Sequence, residues 1–127
     1  MARRILLAED DRFLRKAAEA ALRRHGFEVL AAVDGEDALR RAREEPPDLI
    51  LLDLIMPKLN GFEVLRELKQ DVPTASIPVI VLSNLGQEGD VQQAMEGGAV
   101  AYCVKANLSL EELVRRVEEA LANRAGR

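Results

Sequence analysis

Aromatic residues and cysteine are scarce in this sequence. Aromatic residues make up 3% of the 127 residues and tryptophan is absent, so the core has to be built from aliphatic side chains. Cys103 is the single cysteine, which excludes a disulfide bond within the chain. Because Cys103 lies in an apolar run, we expect a small buried side chain rather than a reactive thiol.

Long apolar stretches and clustered basic residues are also missing. No apolar stretch approaches the roughly 18 residues of a membrane-spanning helix. The acidic residues Glu9, Asp10 and Asp11 interrupt the region where a signal peptide would be apolar. The formal net charge is −4 and the arginine pairs are scattered along the chain, which gives no support for direct nucleic-acid binding. We therefore expect a cytoplasmic protein without membrane insertion.

Five short apolar runs alternate with amphipathic helical patterns. Most of the runs are continuous, which is typical of strands that are buried on both faces of a parallel sheet. They span Ile5–Ala8, Val29–Val33, Leu49–Leu52, Val79–Leu82 and Ala101–Val104. Strict alternation of this kind predicts an α/β fold. We expect one domain over residues 1–127, with residues 123–127 as a frayed tail.

Several helix starts carry capping residues. Ser109 with Glu112 three positions later has the spacing of a capping box, and Asn60 with Glu63 has the same spacing. Asp34 is placed to cap the second helix. These residues predict where three of the helices begin.

Polar side chains follow four of the five predicted strands at the point where each strand ends. They are Glu9-Asp10-Asp11, Asp53, Ser83-Asn84 and Lys105. In an open α/β sheet, ligands bind beyond the carboxyl ends of the strands. Clustered carboxylates repel one another unless a cation lies between them, and oxygen donors suit Mg²⁺. Asp53 would then be a carboxylate nucleophile, with Lys105 and the cation neutralising the charge of a transferring phosphoryl group.

These segments resemble the response-regulator receiver family over essentially the whole chain. The family's first strand and acidic pocket are matched by ILLAEDD, its phosphoacceptor segment by LILLDLIMPKLNGFEVL, its hydroxyl-bearing strand by PVIVLSN, and its last strand and helix by GGAVAYCVKANLSLEEL. The resemblance implies a doubly wound, flavodoxin-like fold with a five-stranded parallel sheet in the order 2-1-3-4-5 and helices on both faces.

The resemblance also implies a function for each site residue. Asp53 is the phosphoacceptor, and Ser83 and Lys105 contact the phosphoryl group. Mg²⁺, for which Mn²⁺ can substitute, is bound by Glu9, Asp10, Asp53 and the backbone carbonyl of Ile55. Tyr102 is the aromatic side chain that moves on phosphorylation.

The implied partners are proteins of a two-component phosphorelay. The phosphoryl donor is a sensor histidine kinase, a histidine phosphotransfer protein or a small acyl phosphate. An unknown target binds the face formed by the fourth helix, fifth strand and fifth helix. The chain is not an enzyme beyond its own phosphorylation and dephosphorylation.

Two departures from the family pattern carry expectations of their own. Ala106 stands after Lys105 where the family usually has proline, so we expect either a trans peptide with a shifted loop or a strained cis peptide. Ile55 and Leu85 stand two residues after the phosphoacceptor and the hydroxyl. Neither can orient a water molecule, so the resemblance implies slow loss of the phosphoryl group.

Other functions remain open at this point. The first alternative is a receiver-like interaction module that works without phosphorylation. A phosphatase of the haloacid-dehalogenase type would need an Asp where Ile55 stands, and a flavin carrier is disfavoured by the acidic first loop. The chain ends after the last predicted helix, with no output domain. A stand-alone regulator, a phosphorelay shuttle and a piece of a longer regulator all fit this ending.

Overall fold

The computed structural model describes residues 2–84 and 88–125, with side chains described to residue 123. Five strands form one parallel sheet: β1 (Arg4–Ala8), β2 (Glu28–Ala32), β3 (Leu49–Asp53), β4 (Val79–Ser83) and β5 (Ala101–Val104). Five helices connect or follow them: α1 (Arg12–Arg24), α2 (Gly35–Glu44), α3 (Gly61–Gln70), α4 (Glu88–Glu96) and α5 (Leu110–Ala125). The order is β2-β1-β3-β4-β5, as predicted.

The apolar strands separate two cores because successive side chains point to opposite faces of a sheet. On one face, Leu6, Ile50 and Val81 pack with α2, α3 and α4. On the other face, Leu7 and Leu51 pack with α1 and α5. Both faces of the central strands are therefore covered, which explains why their sequences are continuous apolar runs.

The predicted caps define the starts of the helices. Asp34 accepts a hydrogen bond from the Asp37 amide at the start of α2, and Asn60 accepts one from Glu63 at the start of α3. Ser109 accepts one from the Glu112 amide. The Glu112 carboxylate pairs with Arg115, so within the described residues the capping box at α5 is only half formed.

The predicted tail lies only partly within the described residues. Helix α5 continues to Ala125, so residues 123–125 of the predicted tail are helical, and residues 126–127 lie outside the described residues. No helix in the described part of the chain is both long and apolar enough to cross a membrane.

The segment after β5 contains a short helical turn. Lys105–Asn107 form one turn of 3₁₀ helix, and the described residues contain no cis peptide bond. Of the two expectations for Lys105–Ala106, the trans peptide is therefore the one observed. The turn keeps Lys105 directly at the end of β5, on the same sheet edge as the ends of β1 and β3.

Candidate functional site

Three carboxylates meet at the carboxyl edge of the sheet. Strands β1 and β3 are hydrogen-bonded neighbours in which Ala8 pairs with Leu52, so the residues that follow them are adjacent. One carboxylate oxygen from each of Glu9, Asp10 and Asp53 lies within 4.8 Å of the others. Glu9 and Asp53 are buried and Asp10 is exposed. The predicted acidic cluster is therefore present, and one of its members is open to solvent.

Lys105 bridges the two buried carboxylates. Its ammonium nitrogen lies 3.0 Å from Asp53 Oδ2 and 2.6 Å from Glu9 Oε1. Burial alone would lower the pKa of Lys105, but the hydrogen bonds and charges of the two carboxylates outweigh it and raise the pKa. Lys105 is therefore positively charged beside the predicted phosphoacceptor.

Glu9 has the chemistry of a group that can accept a metal ion. Burial is the main reason that the pKa of Glu9 rises from 4.5 to about 7. Its Oε2 accepts a hydrogen bond from the Asp11 amide. Its buried Oε1 contacts the Lys105 ammonium nitrogen and has no further hydrogen-bond partner among the described residues. An under-satisfied buried carboxylate in an all-oxygen donor set fits Mg²⁺.

The Asp53 carboxylate is held at both of its oxygens. Oδ1 accepts a hydrogen bond from the Ile55 amide at 3.2 Å, and Oδ2 accepts one from Lys105. Ile55 is 59% exposed, so this residue lies at the rim of the site. The backbone at Ile55 is thus next to Asp53, as the predicted use of its carbonyl requires.

Ser83 and Tyr102 interact with each other on neighbouring strands. Ser83 is buried at the end of β4, and Tyr102 on β5 pairs with Val81, two residues before Ser83. Burial is the main cause that raises the pKa of Tyr102, and hydrogen bonding with the Ser83 side chain opposes it. Tyr102 also packs against the core on the α2–α4 face. The predicted switch residue is therefore connected to the predicted phosphoryl-contacting hydroxyl.

Arg15 is a contact of this site that is absent from the predicted set. Its guanidinium donates to the carbonyl oxygens of Glu9 at 2.9 Å and Asp10 at 3.3 Å. The sequence contains one indication of this contact, because an arginine stands five positions after Asp10 within the first helix. Which arginine turns back toward the loop is decided by packing, which spacing alone does not show. Leu85, the other residue in the prediction of slow dephosphorylation, lies outside the described residues.

Comparison with known proteins identifies the family. The model of the response regulator receiver domain matches residues 5–118. The chain belongs to the response regulator receiver family. Members of this family are regulatory domains of two-component systems rather than true enzymes, and they are phosphorylated by histidine kinases and act on downstream targets.

Curated relatives of different lengths share this domain. Protein PilH of Pseudomonas aeruginosa is 38% identical over 94% of this chain and 98% of its own length. The phosphate regulon transcriptional regulatory protein PhoB of Escherichia coli is 37% identical over 95% of this chain. The chain spans about half the length of PhoB and 44% of the transcriptional regulator AfsQ1 of Streptomyces coelicolor.

Solved structures agree with the fold and provide receivers in defined states. The receiver domain of the sensor histidine kinase PA1611 from Pseudomonas aeruginosa has a magnesium ion in its active site cleft. It is 30% identical with a TM-score of 0.87, covering 96% of this chain and 99% of that one. The BeF3-activated DrrB receiver domain is also 30% identical, with a TM-score of 0.85 and the same coverage.

Proposed function

We propose that this receiver accepts a phosphoryl group on Asp53 and transmits that event to a protein partner. The observation that carries the proposal is the convergence of three carboxylates and Lys105 at one sheet edge, with Asp53 held at both oxygens. A lone aspartate after a strand would have no such surroundings. The complete donor set favours phosphoryl transfer over the interaction module that works without phosphorylation.

The reaction is a displacement at phosphorus. A carboxylate oxygen of Asp53 attacks the phosphorus of a phosphohistidine, the P–N bond breaks, and the imidazole nitrogen leaves with the electron pair. The product is an acyl phosphate on Asp53. Lys105 stabilises negative charge on the phosphoryl oxygens, and the Ser83 hydroxyl donates a hydrogen bond to one of them.

A divalent cation would supply the remaining charge neutralisation in this reaction. The proposed ligands are carboxylate oxygens of Glu9, Asp10 and Asp53 with the backbone carbonyl of Ile55. Mg²⁺ is the proposed ion, with Mn²⁺ as a substitute. The magnesium ion in the PA1611 receiver supports this assignment, because that domain has the same fold at 30% identity.

The proposed phosphoryl donor is a sensor histidine kinase or a histidine phosphotransfer protein, in the cytoplasm. The proposed output surface is the α4-β5-α5 face, where an as yet unknown protein target binds. The strand register supports this route, because Tyr102 on β5 pairs with Val81, two residues before Ser83 on β4, so movement of Ser83 toward a phosphoryl group would change the surroundings of a β5 side chain. Phosphorylation would then shift the population between two conformations of that face.

Acetyl phosphate with Mg²⁺ provides the direct test. We expect the intact mass of the protein to rise by one phosphoryl group, and we expect Asp53→Asn or added EDTA to abolish the increase. Asp71→Asn is the matched control, because Asp71 follows α3 and pairs with Arg43 rather than with the site. Unchanged mass in the wild-type protein would reject phosphorylation and favour the interaction module.

A further inference from the structure

Arg15 closes the loop that carries the acidic pair. The loop's first amide, at Glu9, donates to the Ala32 carbonyl on β2. The carbonyls of Glu9 and Asp10 both accept hydrogen bonds from Arg15 Nη1, and the Asp11 carbonyl accepts one from the Arg15 amide. Three consecutive carbonyls of the loop are therefore held by this one residue.

The direction of the two carboxylates depends on this backbone. Glu9 is fully buried and turned toward Lys105, whereas the next residue, Asp10, is exposed. Consecutive side chains with such different surroundings need fixed backbone dihedrals between them. Charge-assisted hydrogen bonds from a guanidinium to carbonyl oxygens are strong enough to fix them.

We propose that Arg15 is a positioning residue that preorganises Glu9 and Asp10 for a divalent cation. The inference rests on the metal site of the proposed function and adds to it a residue that touches neither the cation nor the phosphoryl group. Groups that orient metal ligands usually raise the metal affinity, because less free energy is then needed to order the ligands when the metal binds.

Amide hydrogen exchange in EDTA tests the closure of the loop without any metal. Arg15→Met keeps the long stem and good helix propensity but removes the donors and the charge. The Asp11 amide donates to Glu9 Oε2 and therefore reports on opening of the loop. We expect it to exchange about tenfold faster in this variant, because the loop then opens without breaking the charge-assisted hydrogen bonds from Arg15. Arg12→Met is the matched control, since Arg12 is an exposed α1 arginine whose guanidinium has no hydrogen bond or ion pair to the described residues.

Calorimetric titration with Mg²⁺ tests the consequence for the site. We expect Arg15→Met to bind Mg²⁺ about tenfold more weakly than wild type. Arg12→Met removes the same charge from the same helix but no hydrogen bond to the loop, so its affinity should stay close to that of wild type. Arg15→Lys, which keeps the charge and a donor, should fall between the two. It also keeps the inference testable if Arg15→Met does not fold.

The outcomes separate this inference from the proposed function. Wild-type protein that binds no Mg²⁺ would reject both the metal site and the positioning residue. Wild-type protein that binds Mg²⁺ and is phosphorylated, with Arg15→Met equal to Arg12→Met in exchange and affinity, would reject only the function of Arg15. If Arg15→Met has lower thermal stability but unchanged Mg²⁺ affinity, Arg15 is a purely structural residue. This outcome would also reject the proposal that Arg15 positions the metal ligands.

Discussion

The charges of individual residues explain why the site suits a divalent cation. When ionised, Glu9, Asp10 and Asp53 bring three negative charges together, and Lys105 supplies one positive charge. The remaining charge is balanced by one divalent cation. Lys105 is an internal counter-ion that reduces repulsion between the buried carboxylates, and it is the partner of Glu9 Oε1 among the described residues. With Glu9 ionised, the side chains alone leave the site with a net negative charge that a divalent cation would balance.

The side chain of Ile55 should control the lifetime of the acyl phosphate. It is exposed next to Asp53, and an aliphatic side chain there shields the phosphoryl group without orienting water. We expect Ile55→Asn to speed the loss of the phosphoryl group about fivefold, which corresponds to about 1 kcal/mol of transition-state stabilisation. The decay of the phosphorylated mass after removal of the donor measures this rate.

A matched variant makes the effect of Ile55 specific. Val72 is an apolar residue that is 91% exposed and lies just after the C-terminal end of α3, so Val72→Asn should leave the decay rate unchanged. Equal decay rates in wild type, Ile55→Asn and Val72→Asn would show that this rim residue does not limit dephosphorylation.

At the scale of elements, close packing between α3 and the end of β3 fixes the phosphoacceptor loop. Gly61 begins α3, and its amide donates to the Leu54 carbonyl at 2.8 Å. A Cβ atom at Gly61 would lie 2.5 Å from Leu54 Cα and 2.6 Å from the Asp53 carbonyl oxygen. Only glycine leaves room for this approach, so the helix start and the phosphoacceptor strand are in direct backbone contact.

Two glycine substitutions should therefore have opposite effects. Gly61→Ala has to push backbone atoms apart, and we expect a loss of about 1–3 kcal/mol in the free energy of unfolding. Gly89→Ala in α4 meets nothing within 4 Å, and alanine is the better helix former, so we expect a gain of up to about 1 kcal/mol. Urea denaturation followed by far-UV circular dichroism measures both. Similar losses in the two variants would contradict the steric argument.

Whole-molecule architecture was predictable because buried strands and helix caps have local causes. Each predicted strand lies within one residue of an observed one, since strands buried on both faces are continuous apolar runs. Because the strands are parallel, the residues that follow them lie at one edge of the sheet. The 3₁₀ turn at Lys105–Asn107 and the return of Arg15 to the loop were not predictable. The Arg15 contacts span only five and six positions of the chain, but helical spacing does not show which arginine turns back toward the loop.

Stability of the whole molecule should change with pH through Glu9. Its pKa is 4.5 ordinarily and about 7 in the folded, metal-free protein, so the unfolded chain releases this proton first as pH rises. The favourable contribution of protonated Glu9 is complete below about pH 4.5 and is lost as pH rises through 7. The pKa rises by about 2.5 units, so at 1.36 kcal/mol per unit the full loss is on the order of 3 kcal/mol.

Urea unfolding in EDTA at pH 5 and pH 8 measures this contribution when wild type is compared with Glu9→Gln. Glutamine keeps the size of the side chain but does not titrate, so the difference in unfolding free energy between the two proteins isolates Glu9. We expect wild type to lose stability relative to Glu9→Gln between pH 5 and pH 8. Saturating Mg²⁺ at pH 8 should raise the free energy of unfolding of wild type far more than that of Glu9→Gln. The reason is that a ligand that binds only the folded state stabilises that state. A difference that stays constant with pH would mean that Glu9 is already ionised at pH 5, with Lys105 alone compensating its burial.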